Sequence, residues 1–208
     1  MAYSTNLYVI AAICGNFWQE STVNPGIWEN LTVGAPGFGL GQWTDNPPAV
    51  MRRTALFNYL DGHGLTRSSG PGQLQFLIDE NLWIPSLISP SAYSTLSDYL
   101  ASTSTNLPDL VLEWMYHWEG INDGTDSIRL TAAQRYLNLF QNDPGTRDPW
   151  HASNQYLSLG QADNNALLIM DWMTGAAPAP ITPTDEEILA IVSTLLKKRK
   201  NGGMILVF

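Results

Sequence analysis

The sequence predicts a mainly α fold with one short Gly-rich insertion after its first helix. Three observations lead there. Apolar residues recur three and four apart through one segment after another, the spacing of helix faces. Turn formers fall between those segments and rarely inside them. Only Gly26 to Asn46 departs from the pattern, with glycines, a proline and several aromatics in place of a periodic stripe. The chain has 208 residues and is 44% hydrophobic, enough for one good-sized core and an appendage and too apolar for a disordered chain.

The first helix is expected from Ser4 to Asn6 onward, through Leu7, Ile10, Ala11, Cys14, Phe17 and Trp18, and is stopped by Asn24-Pro25-Gly26. Gly26 to Asn46 reads as an irregular loop holding a short hairpin. Pro48 suits a helix start, so Val50 to Leu60 is read as helical and ends at Gly62 or Gly64. Gly72 to Leu82 follows, with Leu74, Leu77, Ile78 and Leu82 inward. Ser91 to Ala101 is a shorter helix, and Asn106-Leu107-Pro108 opens another over Asp109 to Trp118. Asp126 to Gln141 carries Ile128, Leu130, Ala133, Leu137 and Phe140. These elements make one domain over 1–142.

Residues 143–183 are expected to form a connecting segment: a turn at Asn142-Asp143-Pro144-Gly145, a helix over Asp163 to Met173, and an extended Pro/Ala linker. Residues 184–208 read as an amphipathic helix with an apolar tail. Thr184 and Glu187 form a capping box, and Ile188, Ile191, Val192, Leu195 and Leu196 share one face.

Charge narrows the partners. Up to Pro183 there are six Arg, no Lys and sixteen acidic residues, a net of −10, while the other four bases cluster as Lys197-Lys198-Arg199-Lys200. An acidic body cannot replace phosphate counterions, which argues against nucleic acid. Nor can it steer itself to an anionic polymer, so a wall-directed protein of this kind needs delivery by tethering. No stretch has the length of a membrane span, so stable membrane insertion is not expected, and no secretory signal is visible at the N-terminus. Cys14 is the single cysteine, set in an apolar helix as a core thiol.

Glu20 is the residue with chemistry to offer. Most glutamates at helix ends are solvated. Glu20, however, follows Phe17 and Trp18 at the negative end of a helix dipole, and apolar surroundings and that dipole both disfavour its charged form. A carboxylic acid kept protonated near neutral pH is what glycosidic bond cleavage requires.

The motifs around it carry a resemblance. Gly15-Asn16, Glu20-Ser21, Asn24-Pro25-Gly26, Trp28, Gly37-Phe38-Gly39-Leu40 and Gln42-Trp43-Thr44 resemble the phage tail lysozyme family, and more distantly the goose-type lysozymes and lytic transglycosylases. The likeness is strong over Leu7 to about Thr44 and thins toward Phe140. It implies a lysozyme-like α+β fold and hydrolysis of the β-1,4 bond of peptidoglycan, with Glu20 as general acid. It also implies a virion protein of the tail tip that opens the host wall during genome entry. The apolar face of residues 184–208 is read as docking the enzyme onto other tail proteins, against two alternatives, packing on the body or another subunit and binding a membrane surface through the basic cluster.

The second catalytic group stays open among Asp45, Glu29, Glu119 or none, with Asp45 taken as the working choice beside its alternative use in an Asp-Asn-Pro turn. Gln42, Trp43, Trp118 and Glu119 are the candidate substrate-binding residues, since flat aromatic faces pack on sugar C–H faces. His63, His117 and His151 are widely spaced and form neither His-x-His nor His-Glu-x-x-His, so no metal and no cofactor are expected. Two other functions compete: a lytic transglycosylase acting on the same bond, and a non-catalytic wall-binding tail protein.

Overall fold

A computed structural model of the chain describes residues 2–46, 50–86 and 88–176. The helices are α1 Leu7–Ser21, α2 Arg52–Gly62, α3 Gly70–Glu80, α4 Leu96–Leu100, α5 Leu107–Trp114, α6 Asp126–Gln141 and α7 Leu159–Thr174. Between α1 and α2 lie three short strands, β1 Gly37–Phe38, β2 Trp43–Asn46 and β3 Val50–Met51, paired antiparallel in the order β1-β2-β3. The expected mainly α, lysozyme-like fold with one small β insertion is the fold observed.

Helix α1 is the axis of the molecule. Asn6 caps its start by accepting from Tyr8 N at 3.0 Å, and Thr22 ends it in a left-handed conformation, φ 54°. Val9 through Cys14 and Phe17 are all fully buried, so the helix is apolar around most of its circumference and must be surrounded. Helices α5, α6 and α7 pack around it. At α6 the approach is close enough that a Cβ on Gly15 would stand 2.6 Å from Ala133 Cβ and from the Arg129 carbonyl oxygen. Cys14 is sealed in this core, and burial pushes its thiol pKa up, which suits packing and not nucleophilic chemistry.

Several elements differ from the sequence reading, each for a local reason. The expected helix from Ser91 shrinks to α4, which Thr95 caps through Asp98 N. Before it, Ser91 and Tyr93 spend their polar groups elsewhere: Ser91 Oγ meets Glu113, and the Tyr93 carbonyl accepts from Trp83 Nε1 at 3.1 Å. Such local bonds compete with helix formation. Helix α5 continues beyond Trp114 as a wide π-type turn, Met115–Glu119, closed by Gly120 at φ 75°. On α6 the buried face is Arg129, Ala132, Ala133, Tyr136, Leu137 and Phe140, while Ile128 is exposed.

The largest correction concerns residues 143–176, expected as a connecting segment and found packed into the core. Helix α7 packs on α1, α3 and α6 and buries Ala166, Ile169 and Met173 completely. The stretch ahead of it is held by asparagine side chains that substitute for a sheet ladder. Asn24 Nδ2 donates to Ser153 O at 2.8 Å and Gln155 O at 2.7 Å, and Asn165 Nδ2 donates to Val23 O at 2.9 Å and His151 O at 2.8 Å. Arg147, itself buried, joins the buried Asp171 and the more exposed Asp143 in an ion cluster. A boundary at 142 therefore does not separate cores. The remainder of the Pro/Ala linker and the 184–208 helix lie outside the described residues. Among the described residues no helix is long and apolar enough to cross a membrane.

Candidate active site

The residues around Glu20 are brought together by ties between the first helix and the loop that follows. Ser21 Oγ donates to Leu40 O at 2.8 Å, locking the helix end to the Gly39–Gln42 turn. Gln73 of α3 holds the same turn from the other side: its Oε1 accepts from Leu40 N at 2.9 Å, and its Nε2 donates to Pro25 O at 2.7 Å. Both are fully buried, so each unmade bond would strand a desolvated polar group, at a cost of about 1–3 kcal/mol. The Gly-rich turn is thus fixed in place and not a free flap.

These ties leave a cleft of about 710 Å³, the size of a small-molecule or sugar site. Glu20, Gln42, Thr44, Arg52 and Glu80 supply its polar groups, Glu119 lines it with its carboxyl turned inward, and Met51, Phe76, Leu82, Ile84, Trp118 and Ile121 are among its apolar walls. Pleat alternation decides which residues of the insertion face it. In β2 Trp43 and Asp45 point inward and Thr44 and Asn46 outward, so Gln42 and Thr44 line the cleft. Trp43 is fully buried behind it, edge-on to Trp118 with centroids 5.7 Å apart. Trp43, expected to contact substrate, is core. Trp118 does form cleft wall, stacked on Trp114 at 4.8 Å and covered by the Arg52 guanidinium at 4.6 Å.

At the inner end of the cleft one arginine faces three carboxylates. Arg129, fully buried on α6, donates from Nη2 to Glu20 Oε1 at 2.7 Å. Its Nη1 lies 2.7 Å from Glu119 Oε2, an ion contact whose alignment is not that of a hydrogen bond, and Asp123 Oδ2 is 3.8 Å from Nη2. Burial raises the Glu20 pKa above 4.5; the hydrogen bond and charge of Arg129 oppose this, and the charges of Asp123 and Glu29 add to it. Burial likewise holds Glu119 well above 4.5, helped by the charge of Glu20. Exposure separates the two acids. The Glu20 side chain is 21% exposed and the Glu119 side chain 4%, with both Glu119 carboxyl oxygens sealed from solvent, so of these two acids Glu20 is the one with an accessible carboxyl.

The other candidates fall elsewhere. Asp45 is not among the cleft-lining residues. Its carboxylate accepts from Thr54 N at 3.0 Å, Thr54 Oγ1 at 2.7 Å and Arg53 Nη2 at 3.0 Å, anchoring the start of α2. Burial acts to raise its pKa, but those bonds and the Arg53 charge leave it lowered, the state of a fixed anion. Glu29 ties β1 by accepting from Gly37 N at 3.0 Å. Gln42 keeps its own turn closed, donating to Gly39 O at 3.0 Å from a left-handed backbone, φ 45°. His117 Nδ1 donates to Ile84 O at 2.8 Å deep in the core. Among the described residues no three His, Cys, Asp or Glu side chains group in a way that would hold a metal ion.

Sequence reasoning missed Arg129, Asp123 and the bidentate Arg52–Glu80 pair on the cleft wall, whose two N–O distances are both 2.8 Å. One signal was present. Positions 129, 132, 133, 136, 137 and 140 form an unbroken three- and four-residue series headed by an arginine. An arginine at the head of a core face needs buried acids opposite it.

Comparison with known proteins identifies the family. A stretch of 73 residues is 44% identical to Morphogenesis protein 1 of Bacillus phage B103; the match covers 34% of this chain and 18% of that protein. The family model described as phage tail lysozyme matches residues 5–140, which contain α1, the β insertion, the cleft and Arg129. The chain belongs to the phage tail lysozyme family.

Proposed function

We propose that this protein is a glycosidase that cleaves the β-1,4 bonds of bacterial cell-wall peptidoglycan, with Glu20 as its general acid. The observation that carries the reading is the exposure contrast above: of the two raised-pKa glutamates on Arg129, Glu20 alone has an accessible carboxyl in the cleft. The protonated Glu20 gives its proton to the glycosidic oxygen as the C1–O bond breaks. The positive charge building at C1 is then quenched by water, whose released proton returns to Glu20. Gln42 and Thr44 contact the sugar's polar groups, Ile84 and Met51 pack on its apolar faces, and Trp118 backs that wall from beneath Arg52.

A second carboxylate is not assigned. Glu119 is enclosed, Glu80 is engaged with Arg52, and Asp45 anchors α2. That economy favours one alternative of the same class. In a lytic transglycosylase the sugar's own C6 hydroxyl closes on C1, so no carboxylate is needed to activate water. Mass spectrometry of the products distinguishes the two. Reducing ends carrying one added water support hydrolysis, anhydro ends support the transglycosylase, and intact glycan overturns both.

The family places the protein among phage tail lysozymes, and we extend this to a role in opening the wall locally from the virion's tail tip. The acidic body supports the need for delivery, since it carries no field to draw it to an anionic wall. Docking through residues 184–208 onto other tail proteins is proposed from the apolar face of that segment in the sequence alone. A truncation at 183 should keep wall-cleaving activity and lose incorporation into particles; incorporation at the full level would refute the docking role.

A further inference from the structure

Gly15 and Asn16 lie one turn before Glu20 on α1, do not line the cleft, and have no part in the chemistry above. Their surroundings show what they do. At Gly15 the α1 and α6 backbones touch: a Cβ would also stand 2.8 Å from Ala133 N. The closeness brings Arg129 against α1. Asn16 Oδ1 then accepts from Arg129 Nη1 at 3.1 Å, with the Asn16 carbonyl at 3.4 Å. The Asn16 amide cannot turn away, because its Nδ2 donates to Ala12 O at 2.9 Å and Val111 O at 3.3 Å. At the other end of the guanidinium, Nε donates to Thr125 Oγ1 at 3.0 Å.

We propose that Arg129, seated by Gly15 and Asn16, is the positioning residue that directs the proton of Glu20 onto Oε2. This rests on the reading of Glu20 as general acid. Oε1 accepts a charged N–H at 2.7 Å, so a proton placed there would meet the donor and break the contact. Oε2 has no hydrogen-bond partner among the described residues and is the more basic oxygen. Fixing one oxygen fixes the carboxyl plane, and with it the direction of the O–H. A displacement of about 1 Å in such a group can cost about 100-fold in rate.

Arg129 also stabilises the carboxylate left after proton transfer, against the charges of Asp123 ahead of α6 and Glu29 in the turn before β1 and beside Glu119 on the π-type turn, whose own carboxyl feels Glu20. Its removal therefore has a signed effect that packing alone does not predict. With Arg129→Gln the Glu20 midpoint rises, and the alkaline limb of the pH–rate profile moves to higher pH. At the same time kcat falls about 10- to 100-fold, with KM changed by less than about threefold. Arg129→Lys keeps the charge and not the two-ended seat, so its limb stays near wild type while kcat remains low.

The experiment is a carbon-13 NMR titration of the Glu20 carboxyl in wild type, Arg129→Gln and Asn16→Ala, run beside pH–rate profiles on purified walls. An upward midpoint shift in Arg129→Gln and a smaller one in Asn16→Ala are expected. If Arg129→Gln does not fold, Asn16→Ala decides: a wild-type midpoint together with wild-type kcat overturns the proposal. The titration needs no substrate. An upward shift in a protein that leaves walls intact would sink the glycosidase reading while the Arg129–Glu20 coupling stood.

Discussion

Replacing Gly41 by alanine tests how the Gly-rich turn builds the cleft. Gly41 has no positive φ, so its backbone tolerates any residue; what it lacks is room. A Cβ there would fall inside contact distance of Trp118 Cη2, 2.9 Å from Cζ3 and 3.4 Å from Phe17 Cε1. The Trp118 ring has nowhere to retreat. It is 1% exposed, stacked on Trp114 at 4.8 Å, edge-on to Trp43 at 5.7 Å and Phe17 at 6.1 Å, and covered by Arg52. Overpacking of this kind costs about 1–3 kcal/mol. Loss of unfolded-chain freedom on going from Gly to Ala returns about 0.4–1 kcal/mol. The net loss is about 1–2 kcal/mol, or a fall in Tm of about 2–8 °C for a body this size. Thermal unfolding followed by near-ultraviolet circular dichroism measures both the stability and the displaced tryptophan cluster. Gly62→Ala is the control, because nothing stands within 4 Å of a Cβ there, and it should leave Tm unchanged or raise it slightly. A Gly41→Ala protein with wild-type Tm and an unchanged tryptophan spectrum would refute the reasoning.

Asp45→Asn should cost about 1–3 kcal/mol of stability by unmaking the α2 anchor, and reduce kcat by no more than a few-fold; a thousand-fold loss of kcat with Tm intact would restore Asp45 to catalysis. The lowered Asp45 pKa means its contribution is complete above the ordinary carboxylate value of 3.8 and is lost as pH falls through the folded value, so the Asn variant should lose less stability on acidification than wild type. Glu119 has the opposite sign: its raised pKa contributes stability fully below 4.5, which is lost as pH rises toward the folded value. Glu119→Gln should therefore flatten the decline of stability with rising pH, and urea midpoints across the neutral range that stay parallel to wild type would contradict this. Asn24→Ala removes the amide that holds residues 153 and 155 and should destabilise by about 2 kcal/mol with protease cleavage appearing near 153; resistance equal to wild type would mean that segment is held by something else.

The parts of this molecule legible in its sequence are those set by local pattern. The α1 stripe, the caps and the punctuation by glycine and proline gave most helices to within a few residues. The setting of Glu20 behind Phe17 and Trp18 gave the direction of its pKa, and burial is indeed the leading cause. What local pattern could not give is long-range pairing. Arg129 lies 109 positions from Glu20, and nothing near either residue names the other. The 143–158 stretch reads as a loop because its order comes from Asn24, Asn164 and Asn165, whose amides replace a ladder only once α1 and α7 are in place. Trp43 and Asp45 read as cleft residues when the hairpin is taken without its pleat. Once β2 is recognised, period-two alternation sends both inward and leaves Gln42 and Thr44 to line the cleft.

The central claim is that Glu20 donates a proton to the wall glycan, and the direct measurement is the rate of glycan cleavage by wild type and Glu20→Gln on purified Gram-positive peptidoglycan. Glutamine keeps the shape and can still accept from Arg129, so the fold should be retained, which matched thermal unfolding would verify. The account predicts a loss of about three orders of magnitude in kcat with binding to walls preserved. A Glu20→Gln protein that clears walls as fast as wild type would contradict it.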